Sequence, residues 1–410
     1  MTDSKPTLLS INNYHYLRGG AESVYFDHAE LFRAVGWSTA FFSMQHPQNR
    51  DCDESAYFID ELELGHSYSL LKKAGMATKV IYSHESRRKL SALLDKLNPD
   101  VAHVHSVYHH ISPSILPLLK ERGIPVVLTA HDLKLLCPAY TMLSQGQVCE
   151  ACKGGKTWNV LRKKCIKNST ALSFLVGLEA AVHGFLNTYA DNVTALVLPS
   201  KFYRNKFIEW GWPPDRLHYI PNYVVTGDFE PQYQPGDYFL YFGRLLRDKG
   251  VDTLIRAAAR SGIALRVAGT GPDQQSFQAL AQQTGANVEF LGFRSGDDLH
   301  AQIRGARAIV LPSEWYENAP ISLLEAYALG KPVIGADIGG IPEMIEPAQT
   351  GWLHESGSLN QLAGLLAEVD CHSAEQLETM GQAARARVET RFSPEKYLRN
   401  MQALYSEICH

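Results

Sequence analysis

Short apolar runs alternate with longer amphipathic stretches along the whole chain. In the first half the apolar runs are residues 7–11, 101–105, 125–130, 195–199 and 218–221. Helical patterns lie among them at residues 22–35, 112–120 and 201–210. Strands that alternate with helices predict a parallel, doubly wound sheet, so we expect an α/β fold.

The same alternation resumes in the second half. Its apolar runs are residues 238–242, 264–268, 288–291, 308–311 and 332–335, each separated by a helical pattern or a glycine-bearing turn. Between the halves, residues 223–237 contain two prolines and two glycines and show little periodicity, which is typical of a linker. We therefore predict two Rossmann-like domains, with ligands bound in the cleft between them.

The length and composition agree with this division. At 410 residues the chain exceeds what one core usually fills, and 45% hydrophobic with 20% charged residues is typical of a soluble globular protein. The start of the chain lacks the pattern of a secretory signal. Residues 171–185 are the most apolar helical stretch, but they are too few to span a bilayer and include Glu179 and His183. We expect a cytoplasmic protein.

The charges are divided unevenly. Residues 1–222 contain 24 Lys and Arg against 20 Asp and Glu, whereas residues 223–410 contain 15 against 23. Basic residues concentrate in residues 70–96 and 153–167, and the second run contains no acidic residue. Solvated helix faces are one interpretation, and an anionic acceptor or an acidic membrane surface is the other. We expect no nucleic-acid partner.

Four of the seven cysteines lie in one segment: Cys137, Cys149, Cys152 and Cys165. Disulfides are unfavourable in a reducing compartment. Cys149 and Cys152 form a CxxC pair, and the two flanking cysteines would complete a tetrahedral thiolate site for a structural zinc. Four reduced thiols without a metal are the alternative interpretation.

A dense motif follows the apolar run 308–311. Residues 312–343 read PSEWYENAPISLLEAYALGKPVIGADIGGIPE, in which seven residues separate Glu317 from Glu325. A Gly-Lys-Pro-Val turn and a Gly-Gly-Ile-Pro-Glu loop come after them. Pro320 suits the first turn of a helix, so the backbone N–H groups near Ile321 would be free to bind an anion, with Asn318 just before them.

This motif resembles the signature of the retaining glycosyltransferases of family 4. The resemblance extends to Gly243-Arg244 with Lys249-Gly250, to the Gly269-Thr270-Gly271-Pro272 turn and to the loop at Gly19-Gly20. It implies a GT-B fold, with an acceptor domain at 1–222, the linker at 223–237 and a nucleotide-sugar domain at 238–390. It also implies that the C-terminal helix, within 391–410, crosses back to the first domain.

The resemblance assigns roles that the residue types can support. Glu317 would contact the donor sugar, Glu325 the ribose, and Arg244 and Lys249 the diphosphate without a metal. His131 would lie near the reacting carbon. Gly20 would let the chain approach the phosphates closely, and Asn318 and Ile321 would complete the donor site.

The implied reaction transfers a sugar from a nucleotide diphosphate sugar to a saccharide or lipid-linked acceptor, in polysaccharide, lipopolysaccharide or glycolipid synthesis. No catalytic cofactor is expected. A sugar-nucleotide epimerase of the same fold and a non-catalytic binder of sugar nucleotides or polysaccharide are the alternatives. Because Gly269-Thr270-Gly271 lacks the third glycine of a dinucleotide fingerprint, NAD is not inferred.

Two further patterns have simpler explanations than metal binding. His103 and His105 share one face of a strand, and His109 and His110 follow them, but no accompanying carboxylate pattern stands out. Asp51-Cys52-Asp53 resembles a metal-binding Asp-x-Asp, yet it lies in a polar loop. We interpret the histidines as hydrogen-bonded side chains and the loop as solvated.

Overall fold

The computed structural model describes residues 5–61 and 78–409 and contains two six-stranded parallel sheets. The first sheet has the order β2-β1-β3-β4-β7-β8. Its strands are β1 (Thr7–Asn12), β2 (Ser38–Phe42), β3 (Val101–Ser106), β4 (Val126–Thr129), β7 (Ala195–Leu198) and β8 (Leu217–Tyr219). A short antiparallel hairpin, β5 (Leu143–Ser144) and β6 (Gln147–Val148), lies between β4 and β7 in the chain.

The second sheet repeats this architecture, with the order β11-β10-β9-β12-β13-β14. Its strands are β9 (Phe239–Phe242), β10 (Leu265–Ala268), β11 (Val288–Gly292), β12 (Ala308–Leu311), β13 (Val333–Asp337) and β14 (Gly351–Glu355). The central strands are apolar and buried because helices cover both faces, as a parallel sheet requires.

The helices connect and cover the strands. In the first half they are α1 (Gly20–Ala34), α2 (His84–Leu94), α3 (Ile115–Glu121), α4 (Asn159–Arg162), α5 (Thr170–Phe185) and α6 (Lys201–Glu209). In the second half they are α7 (Val251–Ser261), α8 (Gln274–Thr284), α9 (Gly296–Arg304), α10 (Ile321–Ala328), α11 (Leu359–Asp370), α12 (Ala374–Arg391) and α13 (Pro394–Ile408).

The last helix, α13, returns to the first domain. Ser393 caps its N-terminus by accepting a hydrogen bond from the Lys396 N–H. Tyr397 and Tyr405 place their hydroxyls 2.8 and 2.9 Å from the two ring nitrogens of His28 in α1. The Tyr405 hydroxyl also lies 2.5 Å from Nδ1 of His103 in β3. These buried contacts attach α13 to the first sheet, as the resemblance implied.

The predicted fold class is confirmed, with local differences. The sequence analysis did not find the edge strands β2 and β14. The predicted helix at 112–120 begins only at Ile115, because Ser112 adopts a left-handed conformation with φ of 71°. The domain boundaries at 222/223, 237/238 and 390/391 stay predictions.

Candidate functional site at the interdomain cleft

The loop between β12 and α10 holds a buried ion pair. Glu317 Oε1 lies 2.7 Å from Lys249 Nζ and accepts a second hydrogen bond, also 2.7 Å, from Ser313 Oγ. Burial opposes ionisation of Glu317, but the Lys249 charge and these hydrogen bonds outweigh it, so its pKa lies below the ordinary value. The Lys249 ammonium also lies 4.6 Å from the centre of the Trp315 ring. The Glu317 carboxyl group is therefore ionised at neutral pH.

Glycines let two other backbone segments pack against this loop. A Cβ on Gly250, which has φ of 69°, would lie 2.0 Å from the Pro312 carbonyl oxygen. A Cβ on Gly339 would lie 2.3 Å from the Glu317 carbonyl oxygen. One on Gly340 would lie 1.8 Å from the Asn318 carbonyl oxygen. Only glycine permits such close backbone contacts, so the two glycine motifs position the ion pair rather than a ligand.

Arg244 lies on the turn after β9, beside the turn after β10. The two turns are joined by the Leu245 N–H, which donates to the Thr270 carbonyl over 3.0 Å. A Cβ on Gly269 would lie 1.9 Å from the Gly243 carbonyl oxygen, so this position also requires glycine. Arg244 is exposed and has no ion-pair partner among the described residues. Its guanidinium is therefore available to an anion in the cleft.

Two helix N-termini meet at the cleft. Gly20 opens α1 in the first domain and Ile321 opens α10 in the second. A Cβ on Gly20 would lie 3.2 Å from Ile321 Cγ1, so the two helix starts are in contact. The N–H groups of Ile321 and Ser322 have no acceptor within the described part of the chain. Free N–H groups and the positive ends of two helix dipoles favour an anion here.

Glu325 lies one turn into α10 and is the unpaired carboxyl of the site. Burial raises its pKa to about 7. Its carboxyl oxygens have no hydrogen-bond partner in the residues that the structure describes. A partly buried carboxyl group with a raised pKa and no partner among the described residues is a strong candidate for binding ligand hydroxyls.

Asn318 joins the two domains rather than leaving its amide free. Its Nδ2 donates to the carbonyl of Ala130 over 2.9 Å, and its Oδ1 accepts from Ser200 Oγ over 2.9 Å. Glu343, in the Gly-Gly-Ile-Pro-Glu loop, accepts the N–H groups of Lys201 and Phe202 at the start of α6, both over 3.0 Å. These links between domains were missed, because sequence spacing cannot show which loop faces which helix.

His131 follows Ala130 at the end of β4 and lies at the same junction. Its Nε2 is 3.0 Å from Nδ1 of His105, and the two rings stack with centroids 5.2 Å apart. Burial lowers the pKa of His131 to about 4, so the ring is neutral at physiological pH. His103 lies behind His105, where its two ring nitrogens contact the Tyr405 and Thr129 hydroxyls. Both ring nitrogens of His103, and one ring nitrogen each of His105 and His131, are therefore engaged in hydrogen bonds.

The other residues considered for metal binding, His109, His110, Asp51 and Asp53, lie away from the ion pair between Lys249 and Glu317. His109 Nδ1 is 3.4 Å from Glu179 Oε2, and His110 Nε2 is 3.1 Å from the Tyr14 hydroxyl. Asp51 is exposed and Asp53 begins a short 3-10 helix, Asp53–Tyr57. Among the described residues no group of three or more His, Cys, Asp or Glu side chains is arranged to hold a metal ion.

The four-cysteine segment packs beside the cleft. Each pair among Cys137, Cys149, Cys152 and Cys165 is close enough for the charge of one thiolate to act on another. The segment reaches the loop that carries Glu317 through Glu150, whose Oε1 accepts a hydrogen bond from the Tyr316 hydroxyl over 3.1 Å. The cysteine segment therefore supports the loop that carries Glu317.

Two parallel sheets that meet at one cleft, with a C-terminal helix returning to the first domain, define a GT-B glycosyltransferase fold. The sequence profile of Glycosyltransferase Family 4 matches residues 18–227, and that of Glycosyl transferases group 1 matches residues 229–387. This chain belongs to Glycosyltransferase Family 4.

Curated relatives match part of the chain. A GDP-mannose-dependent monoacylated alpha-(1-6)-phosphatidylinositol monomannoside mannosyltransferase of Corynebacterium glutamicum is 34% identical over 161 residues, which is 37% of this chain and 42% of that protein. The amylovoran biosynthesis glycosyltransferase AmsK of Erwinia amylovora is 28% identical over 239 residues, 53% of this chain and 56% of that protein. The matched regions thus span about half the length of these relatives.

Solved structures match over nearly the whole chain. Sucrose-phosphate synthase from Thermosynechococcus elongatus has a TM-score of 0.74 at 19% identity and covers 98% of this chain and 99% of its own. Anabaena HepE in complex with UDP-glucose has a TM-score of 0.62 at 17% identity, with coverage of 98% and 99%. At these identities the likeness concerns the fold.

Proposed function

We propose that this chain is a retaining glycosyltransferase that uses a nucleotide diphosphate sugar and no catalytic metal. Its acceptor is a saccharide or lipid-linked hydroxyl in polysaccharide, lipopolysaccharide or glycolipid synthesis, at an anionic membrane surface. The observation that carries the proposal is the cleft arrangement of Arg244, the Lys249–Glu317 pair and the unpaired Glu325. The family assignment and the UDP-glucose complex of a protein with this fold support it.

The donor fits the polarity of the cleft. Its diphosphate would bind Arg244, Lys249 and the free N–H groups at Ile321, where Gly20 allows the opposite helix to approach. The ribose hydroxyls would donate to Glu325, whose carboxyl has no partner in the part of the chain that the structure describes. Glu317, charged and held by Lys249, would accept hydrogen bonds from the sugar. Asn318 would act by keeping the two domains in register.

The reaction is a substitution at the anomeric carbon. The acceptor oxygen forms its bond on the face from which the diphosphate leaves, as the anomeric carbon–oxygen bond to the diphosphate breaks. The acceptor proton passes to a departing diphosphate oxygen, so no enzyme base is needed. Arg244 and Lys249 stabilise the charge that grows on the diphosphate. His131, which is neutral at physiological pH, would bind the sugar near the reacting carbon.

An epimerase and a non-catalytic binder would use the same donor contacts, and an acceptor assay separates the three functions. Formation of a glycoside from a panel of UDP- and GDP-sugars supports transfer. Release of free nucleotide with an epimerised sugar indicates the epimerase. Binding that stabilises the protein without turnover indicates the binder.

Replacing Arg244 by Ala should lower kcat by on the order of a hundredfold or more, since its task is to meet charge that grows in the transition state. The unfolding midpoint should stay the same, because Arg244 is exposed and has no ion-pair partner among the described residues. Steady-state kinetics and thermal unfolding measure the two effects. Arg247→Ala is the matched control, an exposed cation three residues away, and should change neither.

Lys249 needs a paired design because it neutralises Glu317. Lys249→Ala alone leaves a buried carboxylate unpaired and should lower stability as well as kcat. Lys249→Ala with Glu317→Gln should recover stability but not activity. If either Arg244→Ala or the stable double variant retained full kcat and donor affinity, the diphosphate site would lie elsewhere.

Donor affinity should depend on the ionisation of Glu325. Burial raises the pKa of this carboxyl to about 7 in the free protein, and only the carboxylate accepts two ribose hydrogen bonds. Donor binding should therefore weaken as pH falls through 7, by about tenfold per pH unit below the pKa, and should release a proton near pH 7. Calorimetric titration between pH 6 and 8 in buffers of different ionisation heats measures both effects.

Glu325→Gln is the control for this pH dependence. It keeps the shape of the side chain but cannot ionise, so affinity should be weaker and flat across the same range. Retention of the wild-type slope in Glu325→Gln would assign the titration to another group and remove Glu325 from the ribose site.

We further propose that the four cysteines bind a structural zinc. The thiols lie within range of one another's charge and none forms a disulfide, although among the described residues they are not arranged as a metal site. Burial raises the pKa of Cys137, and the nearby backbone N–H groups of Ala139 and Met142 partly offset this by favouring the thiolate, which is the form that binds a metal. Burial raises the pKa of Cys137 to about 11 and of Cys152 to about 12, so a cation would have to displace their protons. Zinc would draw the sulfurs together and make the segment beside Tyr316 rigid.

Purified protein should then contain about one equivalent of zinc per chain by elemental analysis. Cys149→Ser with Cys152→Ser should abolish the zinc and destabilise the segment, whereas Cys371→Ser, an exposed cysteine in the second domain, should leave it in place. Metal-free protein in which all four thiols react freely with a thiol reagent would contradict the site.

A further inference from the structure

Helix α5 (Thr170–Phe185) has its polar side inside the protein and its apolar side in solvent. Its buried residues are Ser173, Val176, Glu179 and His183, three of them polar. Beyond Thr170 at its first position, the exposed side chains on the opposite face are apolar: Ala171, Phe174, Leu178, Ala181 and Phe185. A surface helix of a soluble protein shows the reverse arrangement.

Internal contacts fix this orientation. Glu179 Oε2 lies 2.8 Å from Lys134 Nζ in a buried ion pair, and His183 Nδ1 lies 3.0 Å from Thr188 Oγ1. Turning the helix over would expose these partners and leave Lys134 buried without a counter-charge. The apolar face is therefore a stable feature of the surface.

The exposed apolar side chains form one patch rather than scattered single residues. Phe174 is 56% exposed and Phe185 is 87% exposed, with Leu186 following at 60%. They recur at helical spacing with Leu178, so they line one side of α5. Contiguous exposed apolar surface of this kind marks a site of protein or membrane interaction.

A basic segment, residues 156–167, lies beside the patch. Helix α4 packs on α5, because a Cβ on Gly177 would lie 2.9 Å from Val160 Cγ1. The Ile166 N–H donates to Ser173 Oγ over 3.1 Å, which ties the rest of the segment to α5. Around these contacts the segment exposes Trp158 and five cations, which are Lys156, Arg162, Lys163, Lys164 and Lys167. None of the five has an ion-pair partner among the described residues.

The other basic run, residues 70–96, does not present such a group of unpaired cations among its described residues. Its residues 70–77 lie outside the described residues, and in the remainder the cations are largely paired. Lys79 lies 3.2 Å from Glu85, Arg87 2.7 Å from Glu121 and Lys89 3.2 Å from Asp60. Among the described residues of the two basic runs, the cations without an ion-pair partner are therefore concentrated next to α5.

We propose that the apolar face of α5 and the cations of residues 156–167 form one surface that docks on an anionic membrane. Phe174, Leu178 and Phe185 would enter the boundary between headgroups and acyl chains, with Trp158 at the interface and the cations on acidic headgroups. No helix within residues 5–61 and 78–409 is long and apolar enough to cross a bilayer.

The surface also adjoins the candidate site. A cleft of about 280 Å³ is lined by Lys163, Lys164 and Lys167 on one side and by Asp248, next to Lys249, on the other. A lipid-linked acceptor held at the membrane would therefore reach the donor site along this cleft. This last step rests on the proposed transferase function, whereas membrane docking itself does not.

Co-sedimentation of the full chain with vesicles tests the surface without any donor or acceptor. Binding is expected to vesicles of phosphatidylcholine with phosphatidylglycerol, to weaken as salt rises, and to be much weaker on phosphatidylcholine alone. Phe174→Asp with Phe185→Asp should lower the partition coefficient by at least about tenfold. Phe293→Asp is the matched control, a 69% exposed phenylalanine in the second domain, and should bind as wild type does.

The cations are tested in the same assay. Lys163→Ala and Lys164→Ala should each lower binding to acidic vesicles by roughly fivefold, while Lys396→Ala, an exposed lysine on α13, should not. Trp158 gives a signal that does not depend on altering the apolar face. Its fluorescence should shift to the blue on acidic vesicles, and the shift should be lost in Trp158→Phe.

Three results would overturn the proposal. The first is failure of the folded wild-type chain to bind acidic vesicles. The second is an equal loss of binding in Phe293→Asp. The third is a wild-type dimer that Phe174→Asp with Phe185→Asp converts to monomer with no effect on vesicle binding, since a second copy would then cover this face. Failure of sugar transfer to a soluble acceptor bears on the proposed function and not on docking.

Discussion

The candidate site depends on the ion pair between Lys249 and Glu317. Removing two charges from water is costly, and their attraction compensates only if the geometry is well defined and other groups complete the hydrogen bonds. Ser313 supplies one such bond, and the close backbone contacts of Gly250 and Gly339 keep the two loops in place. The glycines and the short turns around this pair follow from that requirement.

The loop that carries this ion pair also connects the two domains. The loop that carries Glu317 continues into Asn318, whose amide binds Ala130 and Ser200 of the first domain. Ala130 precedes His131, so the Asn318 amide helps to set the distance between His131 and Glu317. In a cleft that opens and closes, this contact would make the catalytic arrangement depend on closure.

Much of the fold was predictable because buried parallel strands are nearly continuous apolar runs, as in residues 308–311, which match β12 in full. Strand β2 (Ser38–Phe42) was missed since its first residues are exposed and polar. The motif residues Glu317, Glu325 and Lys249 could be singled out from the sequence because they match the family signature. The contacts of Asn318 and the outward apolar face of α5 could not, because both depend on which elements pack together in three dimensions.

The central claim is that sugar transfer proceeds with retention in this cleft, and the anomeric configuration of the first product tests it most directly. Nuclear magnetic resonance of the glycoside formed at early times, from a donor of known configuration, gives the answer before any secondary reaction. The account predicts the same anomeric configuration in product and donor. An inverted anomer would contradict it, since the acceptor would then have attacked from the face opposite the diphosphate held by Arg244 and Lys249.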